Sequence, residues 1–181
     1  VLAYDNARIP EALIRTGGEV GRPFEILDAV ERVNEREKQV LFEKLRVAFG
    51  GELRGRTIAV WGLAFKAETD DMRDSPAITL IESLLAAGVR VQTHDPKAME
   101  TARHYLGDRV IYAADPYSAA NGADGLAIVT EWLVYRNPDF ERLLEGREFE
   151  AVVDFAAYDG TDGRRAAEVL GGRVGHYVVV S

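Results

Sequence analysis

The stretch GLAFKAETDDMRDSP at 62–76 sets a lysine, an arginine and an aromatic side chain between an apolar run and a helix start. Lys66 offers a point charge for a phosphate or a sugar oxygen. Phe65 beside it can stack or pack, and Arg73 follows in the same loop. A dinucleotide site at this position needs three glycines, for the tight turn, for close approach of the pyrophosphate and for helix–strand packing. Here Gly62 is followed by Leu63, Ala64 and Phe65, so no backbone cradle of that kind forms and the usual mode of NAD binding within this domain is not expected. Ser75 and Pro76 make a good helix start, whose free N–H groups and dipole also suit an anion. A plain capped helix, with Asp74 complementing the dipole, is the simpler reading. Asp70 and Asp71 could chelate a cation, but no histidine or further carboxylate is placed to complete a shell, and no metal site is expected.

Three other places bear on the same crevice. Asp95, after VQTH, stands where an acidic residue often meets a ribose hydroxyl, although as Asp-Pro it can equally be ending a strand. Thr130, Glu131 and Trp132 close an apolar run, with Trp132 read as a packing residue. Asp154 and Tyr158 lie near the end of AVVDFAAY. His94, His104 and His176 are isolated and are read as structural or surface residues. No Ser/His/Asp set and no general-base pair emerges, so no residue is assigned a catalytic role.

These side chains are positioned by an alternation of elements. Apolar runs at 57–64, 89–94, 126–131, 151–157 and 176–180, with a weak one at 109–112, predict strands; helical periodicity fills 75–87, 96–106, 116–121, 138–145 and 162–170. Continuous apolar strands with helices between them predict an α/β fold: a doubly wound, Rossmann-like parallel sheet whose ligands sit at the carboxyl ends of the strands. Ahead of the sheet, Phe24 to Phe49 contains no Gly or Pro. Ile26, Val30, Val33, Val40, Leu41, Leu45 and Ala48 recur at helical spacing, interrupted at Glu37. A helix of about 39 Å follows, suited to connect or to dimerise. A short helix is expected at 9–17 and a Gly-Arg-Pro turn at 21–23. The expected division is a helical connector and dimerisation segment at 1–50 and a Rossmann-like domain at 51–181.

Composition bounds the function. With 181 residues, 47% hydrophobic and 29% charged, the chain can bury one full domain plus an appendage. A net charge of −8 with scattered Lys and Arg argues against a nucleic-acid surface, so a few placed cations must hold any anionic ligand. No apolar run approaches the ~18 residues of a membrane span. The absence of cysteine removes disulfides, thiolate metal sites and thiol nucleophiles together, and a cytoplasmic location is expected. A first residue of Val suggests a chain trimmed or cut from something longer.

With these residues in view, VWGLAFKAETDDMRDSPAITLIESLLAAGVRVQTHDPKAM closely resembles the start of the C-terminal, UDP-binding domain of the UDP-glucose/GDP-mannose dehydrogenase family, with the UDP-glucose 6-dehydrogenases nearest. The carriers are GLAFK, TDD, the arginine, SP, and the DP after the second strand. AIVTEW…PDF resembles the fourth-strand region, and EILDAVERVNEREKQVLFEKL resembles the long central helix through which those enzymes dimerise. The resemblance covers roughly residues 9–155. It implies a role in nucleotide-sugar metabolism: oxidation of the primary alcohol of a UDP-sugar to a carboxylate in two NAD-dependent steps, through a cysteine-bound thiohemiacetal. It further implies that Phe65 and Lys66 contact the nucleotide sugar and that Arg73 reaches toward NAD held in a separate N-terminal domain. A homodimer through helix 24–49 is implied as well.

The sequence also departs from the family. The NAD domain and the segment with the catalytic lysine and asparagine are absent. A gapless alignment puts Asp5 where the family's cysteine belongs and Ile9 where the aspartate of the same motif belongs. The family's Asp-Gly-Arg aligns with Asp154, Phe155 and Ala156, and the DGRR at 162–165 comes too late to replace it. The chain is therefore read as the C-terminal UDP-sugar-binding part of a UDP-glucose 6-dehydrogenase, inactive by itself. The alternative is a diverged, non-catalytic nucleotide-sugar-binding or dimerisation module. A receiver-type phosphoacceptor domain fails, because the Asp pair lies beyond the first strand, no Asp ends the third and the fifth carries no Lys.

Overall fold

Six parallel strands form one sheet in the order β3-β2-β1-β4-β5-β6, with helices in the connections between them. The strands are β1 (Thr57–Trp61), β2 (Arg90–His94), β3 (Ile111–Tyr112), β4 (Gly125–Ile128), β5 (Phe149–Asp154) and β6 (Val174–Val179). The expected doubly wound, Rossmann-like fold is thus observed. The computed structural model describes residues 24–136, 138–146, 148–154 and 160–179, together with positions 13, 14, 16 and 19. Most of the short helix expected at 9–17 lies outside them, as do the turn at 21–23 and Asp5, Ile9, Phe155, Ala156 and Tyr158.

The chain divides into two units, Val1–Val40 and Leu41–Ser181. Helix α1 (Glu25–Ala48) follows from the uninterrupted helix-compatible stretch, and it ends where Gly50 and Gly51 take positive φ. The N–H of Gly51 donates to the Arg46 carbonyl at 2.8 Å, which satisfies one of the carbonyls a helix end leaves over. In the second unit Leu41, Leu45, Ala48 and Phe49 are buried. In the first, Ile26, Val30 and Val33 are exposed, at 81%, 44% and 45%.

Alternation along the strands divides the core in two. Ala59, Trp61, Leu126, Ile128 and Val152 share one face with Leu143, Leu144, Leu170 and Tyr135. Ile58 and Val60 point the other way and are fully buried too. The central strands are apolar on both faces because helices cover both, and so they read in sequence as continuous runs. Helix α2 (Pro76–Ala86) follows β1, and α3 (Met99–Leu106) follows β2. Two short helices, α4 (Pro116–Ala120) and α5 (Leu133–Arg136), lie before and after β4; α6 (Phe140–Leu144) and α7 (Gly160–Leu170) flank β5.

Several boundaries differ from expectation by a few residues; β4, for example, ends at Ile128 rather than at residue 131. Strand β1 stops at Trp61 rather than at residue 64, because Gly62 turns the chain at φ +91°. The single turn of α5 was not anticipated; four residues are too few to show a period.

Candidate functional site

In this strand order the topological switch point lies between β1 and β4, where ligands of such sheets bind beyond the carboxyl ends. Gly62 and Thr130 meet there. A Cβ placed on Gly62 would stand 2.6 Å from both Cβ and the backbone nitrogen of Thr130, so only glycine fits. The Thr130 hydroxyl donates to the Ala64 carbonyl at 2.6 Å. The chain leaving β1 is thereby packed against the end of β4.

From this root the loop 65–74 runs to α2. It is folded on itself: the Phe65 N–H donates to the Asp71 carbonyl at 2.8 Å, and the Asp71 N–H to the Thr69 hydroxyl at 2.8 Å. Met72 is fully buried and anchors the returning arm. Glu68 and Asp74 adopt positive φ, at 65° and 59°, a conformation costly for a residue with a Cβ that persists only where its surroundings enforce it. Ser75 caps α2, its hydroxyl accepting the Ala77 N–H at 3.2 Å, and Pro76 takes the first helical position as the sequence indicated.

The three residues singled out by sequence all lie on this loop. Phe65 is exposed, at 43%, and so is Lys66, whose ammonium lies 5.5 Å from the Phe65 ring centroid. Arg73 is turned onto its own loop. Its Nε donates to Asp71 Oδ1 at 2.9 Å and its Nη2 to Asp71 Oδ2 at 2.7 Å. An exposed pair of this kind adds little stability. It does fix the direction of the guanidinium.

Asp95, at the end of β2, does not face a ligand. It is 1% exposed, and its Oδ2 accepts the N–H groups of Leu63 (2.7 Å) and Ala64 (3.1 Å) and the indole N–H of Trp132 (3.1 Å). Its Oδ1 accepts the N–H groups of Lys97 and Ala98, each at 2.8 Å. Of the two readings that sequence left open, the structural one holds. Trp132 is buried and packs, as expected. Lys97 reaches the loop tip, its Nζ donating to the Glu68 carbonyl at 3.2 Å and carboxylate at 3.0 Å.

On one face of the sheet, three aromatic rings pack together in and against the core. The Tyr135 ring stacks on Trp61 with centroids 5.3 Å apart, and Tyr117 meets Trp61 edge-on at 6.0 Å. The Tyr135 hydroxyl lies 2.8 Å from His94 Nδ1 and donates to the His94 carbonyl at 3.0 Å. Burial holds the His94 imidazole below the usual histidine range and pushes the Tyr135 phenol above the tyrosine range. Both are neutral at pH 7, so neither supplies charge to an anion. His104 and His176 are exposed. Asp154 is buried at the end of β5 and accepts the Tyr177 hydroxyl at 2.9 Å.

This geometry does not suit a dinucleotide pyrophosphate at the β1–α2 turn. The amides a phosphate would use, those of Leu63 and Ala64, are spent on Asp95, and Thr130 fills the approach to Gly62. Among the described residues no group of three or more His, Cys, Asp or Glu could hold a metal ion. The loop instead presents a cation and a ring from a firmly held base.

Residues 59–159 match the model of the UDP-glucose/GDP-mannose dehydrogenase family, UDP-binding domain. A UDP-glucose 6-dehydrogenase of Pseudomonas aeruginosa is 44% identical over 148 residues, 79% of this chain and 33% of that enzyme. One of Rhizobium meliloti is 43% identical, over 79% of this chain and 32% of its own length. Among solved structures, a UDP-glucose dehydrogenase from Pyrobaculum islandicum superimposes with a TM-score of 0.75 at 37% identity, over 93% of this chain and 35% of that one. The chain thus spans about a third of the length of the relatives it matches.

Proposed function

Because the chain belongs to the UDP-glucose/GDP-mannose dehydrogenase family, and residues 59–159 match its UDP-binding domain, we propose that it binds a UDP-sugar, UDP-glucose first, through the loop bearing Phe65 and Lys66. It serves as the C-terminal UDP-sugar-binding part of an NAD-dependent UDP-glucose 6-dehydrogenase. The observation that carries this is the placement of Lys66: an exposed ammonium at the carboxyl end of β1, beside the switch point, on a loop whose root is held by buried hydrogen bonds. In that position it meets the diphosphate, and Phe65 packs against the nucleotide or sugar.

From the family resemblance, Arg73 is read as facing NAD presented from another domain, for which its guanidinium would have to leave the Asp71 carboxylate it pairs with in this structure. NAD supplies the hydride acceptor of the family's oxidation; the residues here bind and cover the UDP-sugar. With no cysteine, the chain has no thiol to carry a covalent intermediate, and alone it is not expected to oxidise UDP-glucose. Exposed Ile26, Val30 and Val33, at i, i+4 and i+7 on α1, support a homodimer through helix 24–49.

A second reading, a nucleotide-sugar-binding or dimerisation module without chemistry, draws on residues 154–156, where Asp-Phe-Ala replaces the family's Asp-Gly-Arg.

Lys66→Ala tests the proposal. Loss of a charge-assisted contact to a phosphate should weaken UDP-glucose binding by about 1–3 kcal/mol, read by calorimetric titration against the parent chain. Equal affinity of variant and parent would remove Lys66 from the site.

A further inference from the structure

We propose that Asp95 is the positioning residue of the UDP-sugar loop: its buried carboxylate, through the amides of Leu63 and Ala64, sets the direction in which Phe65 and Lys66 are presented. The inference rests on the UDP-sugar reading of that loop and adds to it a residue that does not touch the ligand.

Five donors converge on this one side chain, and every one is an N–H. A carboxylate offers only acceptors and matches them all. A carboxamide would turn its own N–H₂ against N–H groups. With both oxygens engaged and 1% of the residue exposed, Asp95 has neither the reach nor the free lone pairs for a ribose hydroxyl. Its partners come from three places: the exit of β1 (Leu63, Ala64), the turn after β2 (Lys97, Ala98) and the exit of β4 (Trp132).

Leu63 and Ala64 are the last residues before Phe65 and Lys66, so the direction of the presented pair is inherited from the peptides that Asp95 holds. The same turn grips the loop a second time, through Lys97 on Glu68 at the tip. That contact is exposed and the weaker of the two. Asp95 is thus the buried fixed point and Lys97 the outer tether. If the carboxylate is lost, the loop is shared among several arrangements, and apparent affinity falls by the fraction that remains competent.

The test compares Asp95→Asn with Thr93→Val in the full 181-residue chain. Thr93 is also buried in β2, but its hydroxyl donates to the Val60 carbonyl at 2.9 Å, within the sheet rather than to the loop. Affinity for UDP-glucose and exchange of the Leu63 and Ala64 amides are read in each. Asp95→Asn should bind about tenfold or more weakly, as for a competent fraction of roughly a tenth. Its Leu63 and Ala64 amides should exchange faster while those of β4 and β5 keep their protection. Thr93→Val should bind within about twofold of the parent, whatever it loses in stability. If Asp95→Asn does not fold, Trp132→Phe removes one donor and keeps a ring in place, and a smaller loss in the same direction is expected. A folded Asp95→Asn chain that binds as tightly as the parent overturns the proposal. A parent that binds no UDP-glucose overturns the ligand reading instead. In that case the exchange data decide: the loop amides open in Asp95→Asn if Asp95 holds the loop, and stay protected if it does not.

Discussion

Gly62 is the residue on which the site's geometry turns. Its φ of +91° lies in the region open to glycine, and Thr130 leaves no room for a side chain. Gly62→Ala combines a strained backbone, at about 1–3 kcal/mol, with a forced contact of similar cost. A loss of about 3 kcal/mol in urea denaturation, with an unchanged slope, is expected; under 1 kcal/mol would mean that β1 and β4 can separate at this point without penalty. What the glycine does was only half legible in the sequence. Its isolation among Leu63, Ala64 and Phe65 showed that no pyrophosphate cradle forms. That Thr130 fills the space could not be read, because the pair are brought together by the β1–β4 pairing, far apart in the chain. Asp95 is similar: its position after β2 was visible, but its donors come from three strand exits whose convergence is a property of the sheet.

At the scale of elements, the patterns that carried most information were the longest ones. The apolar runs of β1, β2, β4 and β5 and the glycine-free stretch of α1 each lie where the sequence indicated, since burial on both faces leaves an unbroken apolar run and one-sided burial leaves a helical period. Short elements carried little. Strand β3 has two residues and α5 has four, and each owes its conformation to neighbours rather than to its own composition. Helix α1 shows the converse, a pattern not covered by the described residues of its own unit: Ile26, Val30 and Val33 are apolar and exposed. If they are a dimer seam, Val30→Glu should place a charge in it and convert a dimer to a monomer in sedimentation equilibrium. A parent chain that is monomeric across the accessible concentration range, or a variant that dimerises as well as the parent, would assign that face another role.

At the scale of the whole molecule, the chain is one α/β sheet domain with a helical lead-in, corresponding to about a third of the enzymes it resembles. The residues described supply a cation, a ring and a rigid support for them. They supply no thiol, and at the β1–α2 turn no room for a dinucleotide. Binding by such a surface is expected to be weak, because the contacts of one domain must still offset the lost freedom of the ligand. Selectivity is then more informative than strength. The measurement to make is a calorimetric titration of the 181-residue chain with UDP-glucose, UDP and ADP-glucose in parallel. Binding of the two uridine ligands in preference to ADP-glucose, even at millimolar strength, is the expected result. No binding by any of the three, or ADP-glucose bound as well as UDP-glucose, would contradict a UDP-sugar site at the Phe65–Lys66 loop.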